Sequence, residues 1–291
     1  MNDAQRLLEI FEKIRSHVPD EPDEPVLVQE IVWKISCAGE ELEDFIEYRY
    51  ALAKLIEATE KDYLNLYLKR ELTRENSLAF EIMKMIVNAA AIQDYAMDMY
   101  TALDNAFFVR LKNCVYSLPD ENPMPYGKSQ MDHHQLMFKR LTSLIQEVKE
   151  SSIDFDTKNI LLNLLHRAQT ALSAYVEFGP TVFAETLRET AQCIQNTIPP
   201  STVRAHAELF RNITQVLAQS SKDLWDITKN FSKIAATVGA LYVIATKYPE
   251  LGVEVGPLIY LLTEDSKALS VDDAPKLLEC HIEENDIPRP D

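Results

Sequence analysis

A long apolar seam with a seven-residue repeat constrains this chain more than any other feature of its sequence. A 3.5-residue apolar repeat is what a long helix needs to keep one face against another helix. The seam therefore predicts long packed helices, and an unbroken helix over 201–248 would be about 70 Å long at 1.5 Å per residue. One register contains Val203, Phe210, Leu217, Leu224, Phe231, Val238 and Ala245, and a second, offset by three, contains His206, Ile213, Ser220, Ile227, Ile234, Leu241 and Tyr248.

Glycine is scarce, since the 291-residue chain contains only six. Tight hairpins and phosphate-binding loops need residues at positive φ, so this scarcity favours helices joined by short turns. No segment shows sustained alternation of apolar and polar residues between turn residues, which is the pattern of a strand. We therefore predict an all-α fold. The expected architecture is an elongated multi-helix bundle with several long antiparallel helices and a C-terminal apolar helical hairpin.

Proline-rich and acidic stretches divide the chain into predicted parts. The segment PDEPDEP (19–25) cannot continue a helix, because proline lacks the backbone N–H and clashes with the preceding turn. Gly179 followed by Pro180 predicts that one helix stops and another starts there. The predicted parts are an N-terminal helix (1–18), an acidic linker (19–25), a long helical hairpin (26–118, with helices over 26–72 and 73–117), a helical bundle (130–262, with helices near 130–150, 156–178 and 180–197) and an acidic C-terminal helix and tail (263–291).

Two of these helical segments differ in character. The helix expected over 73–117 is apolar almost all round, and such a helix is normally central to a bundle. Residues 234–262 are also strongly apolar and carry only three charges, on Lys247, Glu250 and Glu254. Pro249 marks a turn between two short arms, neither of which reaches the roughly 18–20 residues needed to span a membrane.

Ten side chains of this apolar hairpin are the candidate functional residues. Three interpretations remain open for them: the packed end of the bundle, a protein-binding surface, or a membrane element that inserts on a trigger. The third is similar in general plan to helical pore-forming toxins, an analogy of architecture alone. The candidates are Leu241, Tyr242, Val243, Ile244, Tyr248, Leu251, Val253, Leu258, Ile259 and Leu262.

The net charge of −17 disfavours nucleic-acid binding, because that binding depends on neutralising phosphates with basic side chains. The acidic residues are concentrated at both ends of the chain, which is typical of solvated helix faces with acidic ends, and the alternative is that this acidic surface binds a basic protein partner. The four cysteines form no CxxC pair, and the charged, amphipathic start is unlike a secretory signal. We therefore expect a cytoplasmic protein.

No catalytic, cofactor or metal motif is recognisable. The sequence lacks a P-loop, a dinucleotide fingerprint, a nucleophile elbow and the HExxH and Glu-x-x-His metal patterns. In Asp132-His133-His134, neighbouring helical side chains point about 100° apart and do not converge on one metal. We therefore predict no metal or cofactor and no enzymatic activity. The expected function is that of a non-enzymatic interaction or regulatory protein that binds a protein partner through its acidic faces or its apolar hairpin, or associates with itself. The alternative is a membrane-perturbing effector whose hairpin 234–262 inserts into a membrane.

Overall fold

The computed structural model describes residues 2–18, 27–36, 42–66, 70–89, 102–118, 128–228, 234–253 and 256. Within these ranges the chain forms α-helices and one 3-10 turn, and no strand occurs in them, which confirms the all-α prediction for the described residues. The predicted linker 19–25 and the acidic C-terminal part 263–291 lie outside them. The helices are α1 (Asp3–His17), α2 (Val28–Ile35), α3 (Leu42–Leu64), α4 (Arg70–Ala89), α5 (Asn105–Ser117), α6 (Lys128–Glu150), α7 (Phe155–Ser173), α8 (Tyr175–Asn196), α9 (Pro200–Ala205), α10 (Ala207–Thr228) and α11 (Ala235–Lys247), and the 3-10 turn is Pro249–Leu251.

The prediction of one continuous helix over 26–72 is wrong, because α2 ends at Ile35 and α3 begins only at Leu42. Ser36 follows α2, and its hydroxyl donates a hydrogen bond of 2.7 Å to the carbonyl of Trp33. Such a local bond from a serine side chain competes with continuation of the helix. A periodic apolar pattern does not reveal this competition.

The helix expected over 73–117 is also interrupted, because α4 ends at Ala89 and α5 begins at Asn105. Asp104 lies immediately before α5 in an extended conformation, and its carboxylate accepts a hydrogen bond of 2.8 Å from the backbone N–H of Phe107. This is an N-cap, which satisfies one of the free donors at a helix start. Within the described residues, α4 and α5 are therefore separate helices, each with its own outer face.

Ten of the thirteen described residues of the apolar seam are buried, but the helix expected to carry the seam is broken. His206 adopts φ −122° and ψ 40° between α9 and α10, and α11 begins only at Ala235. A straight helix has 3.6 residues per turn, so a seven-residue repeat drifts around it by about 20° per heptad. Shorter helices let each part of the seam keep facing the core. Its fully buried members are Val203, Phe210, Ile213, Leu217, Ser220, Leu224, Ile234, Val238, Leu241 and Tyr248.

The chain divides into two compact units, of which the first contains residues 1–123 and 173–182. Aromatic pairs join the helices of its core. The ring centroids of Phe11 and Phe107 are 5.8 Å apart, and those of Tyr48 and Phe178 are 5.0 Å apart. Gly179 then takes φ 71°, so the expected helix stop before Pro180 is confirmed as a kink inside α8.

The start of α1 is tied into this first unit by side-chain hydrogen bonds. The side-chain oxygen of Asn2 accepts from the backbone N–H of Gln5, which caps α1, while its NH₂ group donates to the carbonyls of Val115 and Leu118 at the end of α5. The next residue, Asp3, is buried, and it accepts a hydrogen bond of 2.5 Å from the hydroxyl of Thr181. Arg6 pairs with the same carboxylate at 3.0 Å.

The second unit contains residues 124–172 and 183–291. Its core is built from the apolar faces of α6, α7, α10 and α11 together with the later part of α8. Asp154 caps α7 by accepting from the backbone N–H of Thr157 at 2.9 Å, which starts that helix after the short turn from α6. The ammonium of Lys158 donates to the carbonyls of Lys149 and Ser151, and so caps the end of α6.

Candidate functional site

The first arm of the predicted apolar hairpin is α11, and four of the seven described candidate side chains, on α11 and in the turn after it, are buried in the core of the second unit. Leu241, Ile244, Tyr248 and Leu251 are fully buried. Tyr242 is exposed, and Val243 and Val253 are half-buried. Leu258, Ile259 and Leu262 lie outside the described residues. The described arm therefore contributes to packing, and Tyr242, at 39% exposure, is its one exposed candidate.

Polar contacts hold this arm in place along α8. The hydroxyl of Thr237 lies 3.4 Å from the carbonyl oxygen of Ala184, and the ammonium of Lys247 donates to the carbonyl of Gln195 at 2.8 Å. The second of these bonds joins the end of α11 to the last turn of α8. It also places a cation near two helix C-termini, where the helix dipoles favour positive charge.

A second set of polar contacts holds the 3-10 turn that follows α11. The guanidinium of Arg211, on α10, donates to the carbonyls of Glu250 and Leu251 at 3.0 and 3.1 Å. Arg204 adds an exposed ion pair to Glu250 at 3.3 Å. The turn at Pro249 predicted from the sequence is therefore present and is fixed from the helix that precedes the arm.

An open groove lies along α6 and α10, and the sequence analysis did not identify it. It encloses about 710 Å³. The side chain of Asn212 on α10 donates to Glu147 on α6 at 2.7 Å, while Arg140, one heptad earlier on α6, pairs with Asp223, later on α10. These two links show that α6 and α10 run in opposite directions. The groove is lined by Arg140, Ser143, Leu144, Glu147, Asn212, Gln215, Val216, Ala218, Gln219 and Lys222.

The polar residues of the groove follow helical spacing on both walls. On α10, Asn212, Gln215, Gln219 and Lys222 recur at steps of three and four, and Arg140, Ser143 and Glu147 do the same on α6. Residues at these steps share one helix face. This spacing is the signal that sequence reasoning could have used, because a stripe of amide side chains runs beside the apolar seam of α10.

Asp223 is the most buried charged residue at this groove. Its carboxylate pairs with the guanidinium of Arg140 and accepts a hydrogen bond of 3.2 Å from the side chain of Gln219. The Nδ1 atom of His133 lies 3.4 Å from the same carboxylate. A buried carboxylate requires such partners, since leaving an unpaired charge out of water is costly. The cluster therefore orders one end of the groove.

The two adjacent histidines of α6 point to different helices, as the sequence predicts for neighbouring helical positions. His133 faces Asp223 on α10, while Nε2 of His134 lies 2.6 Å from the carbonyl oxygen of Leu172 on α7. In the part of the chain that the structure describes, no three His, Cys, Asp or Glu side chains are grouped so that they could hold a metal ion.

The first unit contains a buried polar network formed by α3, α4 and α5. The side-chain amide of Asn76 donates to the hydroxyl of Tyr63 at 2.9 Å, and the side-chain amide of Asn113 donates to the side-chain oxygen of Asn76 at 3.3 Å. Burial raises the pKa of Tyr63, and burial also raises the pKa of the neighbouring Cys114 thiol to about 12. Both groups are therefore neutral at physiological pH, which indicates a structural role.

Comparison with protein families, with curated proteins and with solved structures finds no match to this chain. None of the helices within the described residues has both the length and the hydropathy needed to cross a bilayer.

Proposed function

We propose that this chain is a non-enzymatic helical protein that binds a protein partner along the groove between α6 and α10. The observation that carries the proposal is the pair of facing polar stripes on these two helices. Helix-in-groove binding is a common way for one protein to recognise a segment of another. The groove combines polar walls for specificity with the half-buried apolar side chain of Val216.

The groove walls are held in place before any partner binds. Asn212 is bonded to Glu147, and Gln219 is bonded to Asp223, which is itself paired with Arg140. Ordering of side chains normally costs about 0.5–1.5 kcal/mol for each flexible residue at an interface. Walls that are already ordered avoid part of this cost, which supports binding of a partner rather than a purely packed surface.

The charges of the groove favour one orientation of the partner segment. Lys222 and Arg140 lie towards one end of the groove, and Glu147 lies towards the other. A bound helix with acidic residues near Lys222 and basic residues near Glu147 would match this arrangement. The chain's overall charge of −17 would also speed its encounter with a basic protein at low ionic strength.

A capture experiment tests the groove directly. Tagged protein from its native cells is used as bait, with Ser143→Trp and Gln215→Trp as variants that fill the groove from opposite walls. Both residues are exposed, so folding should be retained. Gln135→Trp is the matched control, because Gln135 is exposed on α6 and does not line the groove.

We expect each groove variant to reduce recovery of the partner about tenfold, which corresponds to about 1.4 kcal/mol of binding free energy. The control should recover the partner as the wild type does. A photo-crosslinking residue at position 215 should also attach covalently to the same partner. Wild-type recovery with both tryptophan variants would contradict the groove proposal.

The alternative proposal, a membrane-perturbing effector, keeps 234–262 as a helical hairpin that inserts into a bilayer. The described arm would first have to withdraw Leu241, Ile244 and Tyr248 from the core, at a cost of roughly 5–9 kcal/mol at 1.5–3 kcal/mol per side chain. Purified protein mixed with dye-filled anionic liposomes separates the two proposals. We expect no dye release, whereas release that Val243→Asp abolishes would support the membrane alternative.

A further inference from the structure

The outer faces of α4 and α5, in the first unit, carry apolar side chains that the sequence analysis expected at the centre of a bundle. Leu78 and Met85 on α4 are 46% and 50% exposed, and Val109 and Tyr116 on α5 are 58% and 84% exposed. Each pair is seven residues apart and so lies along one face of its helix. Exposed apolar side chains that recur along a helix face are candidates for an interaction site.

These two stripes belong to neighbouring helices. The side chains of Asn76 on α4 and Asn113 on α5 are linked by a hydrogen bond of 3.3 Å. Beside this link, a shallow groove of about 290 Å³ is lined by Glu75 of α4 and by Val109 and Arg110 of α5, among others. The exposed side chain of Val109 therefore lies next to α4.

The two stripes share one spacing and differ in the sign of their central charge. On α4, Glu81 lies three residues after Leu78 and four before Met85. On α5, Lys112 lies three residues after Val109 and four before Tyr116. Each charged residue is exposed and lies on the same face as its two apolar neighbours.

The other charged residues of α4 and α5 differ in the same direction, since α4 is the more acidic helix and α5 is basic. Helix α5 carries Arg110 and Lys112 and no acidic residue, whereas the described side chains of α4 include exposed Glu75 and Glu81 with exposed Arg74. Lys84 of α4 is bonded to Glu60 of α3 at 2.6 Å and lies 3.6 Å from Glu81. The Glu81–Lys84 contact is an exposed pair of the kind that contributes little to stability.

We propose that this face is an interface between two copies of the chain, related by a twofold axis. In such an isologous contact, each surface patch meets the complementary patch of the other copy. The α4 stripe of one copy packs on the α5 stripe of the other, which places Glu81 opposite Lys112 twice. The contact buries four exposed apolar side chains from each copy and pairs their central charges. It is independent of the groove in the second unit.

Sedimentation of the full chain over a hundredfold range of concentration tests this interface. The wild type should shift from the mass of one chain to the mass of two. Met85→Glu and Val109→Glu should each raise the dimer dissociation constant at least about tenfold, because each buries a charge at the contact. Phe155→Glu is the matched control, since Phe155 is 75% exposed in the second unit, and it should leave the constant unchanged.

Exchange of the two central charges makes the test specific for this geometry. Glu81→Lys and Lys112→Glu should each weaken the dimer about tenfold, and the double variant should restore it to within about threefold of the wild type. Far-UV circular dichroism checks that every variant is folded. A wild type with the mass of one chain throughout, or a double variant as weak as the singles, would overturn the proposal. Growth into larger assemblies would also overturn it, because a twofold contact closes at two copies.

Discussion

The guanidinium of Arg140 on α6 pairs with the carboxylate of Asp223 on α10, a side chain that is only 5% exposed. Arg188 on α8 forms a comparable pair with Glu185, and the two arginines are equally exposed at 27%. The partners differ, because the Glu185 side chain is 32% exposed. The two pairs therefore allow the effect of a buried partner to be measured with the arginine held constant.

We expect Arg140→Met to lower the free energy of unfolding by about 2–3 kcal/mol, since it leaves the buried carboxylate of Asp223 without its cation. Arg188→Met should cost less than about 1 kcal/mol, because Glu185 regains water. Urea unfolding of both variants at one pH provides the measurement. Equal losses would show that the burial of Asp223 does not decide the strength of its pair.

Two buried tyrosines provide a second matched comparison. The hydroxyl of Tyr63 accepts a hydrogen bond from Asn76, whereas the hydroxyl of Tyr248 has no hydrogen-bond partner among the described residues. Tyr63→Phe should therefore destabilise the protein by about 1–3 kcal/mol, because it leaves the buried amide of Asn76 without an acceptor. Tyr248→Phe should be neutral or slightly stabilising. Thermal and urea unfolding measure both, and a larger loss for Tyr248→Phe would contradict this account.

The kink in α8 depends on glycine at position 179. Its φ is 71°, and a Cβ atom placed there would lie 2.5 Å from Cζ of Arg6. Its ψ is −168°, a combination essentially restricted to glycine, so Gly179→Ala should lose about 2–4 kcal/mol of stability through backbone strain of about 1–3 kcal/mol and displacement of the arginine. Gly252→Ala is the control, because Gly252 has φ 58° with open space around it and should lose only the strain. Urea unfolding that finds equal losses would exclude a steric contribution from Arg6.

The raised pKa of Cys114 predicts a specific dependence on pH. Burial raises the pKa of this thiol to about 12 from an ordinary value of 9.0, so the unfolded chain loses the proton first as pH rises. The resulting contribution to stability is complete below pH 9 and declines between the two values. When the pH is raised from about 8 to about 10, the free energy of unfolding of the wild type should fall by about 1 kcal/mol more than that of Cys114→Val.

Alkylation measures the same property in the native protein. At about pH 8, iodoacetamide should leave Cys114 unmodified in the folded chain and modify it after addition of urea, because only the thiolate reacts. Peptide mass spectrometry identifies the modified residue. Rapid modification in the folded protein would show that the thiol is neither buried nor held neutral.

Local sequence patterns predicted the helical class and several helix limits correctly. The Asp3–His17 helix and the stop at Gly179 are present as expected, because side-chain periodicity and glycine act through neighbouring residues. The predictions of continuous helices over 26–72 and 73–117 were wrong. Single polar side chains that bond to the backbone next to them, such as Ser36 and Asp104, lie at the breaks in these segments. An apolar pattern does not record whether such a bond forms.

The candidate site was located less well than the fold. The apolar character of α11 is evident in the sequence, but the placement of α11 and of the turn after it depends on contacts with Ala184 and Arg211, which are distant along the chain. The groove between α6 and α10 arises in the same way, from a pairing of residues 83 positions apart.

Some features of this protein follow from its sequence alone, and others follow only from its tertiary structure. Its all-helical class and the alignment of its apolar seam on one face follow from residue spacing, because a helix places residues three, four and seven apart on one face wherever it forms. The tertiary structure decided where Asp223 is buried and where Leu78 and Val109 are exposed. Periodicity shows which residues share a face, but only the elements that pack against a face determine whether it meets water, a core or another protein.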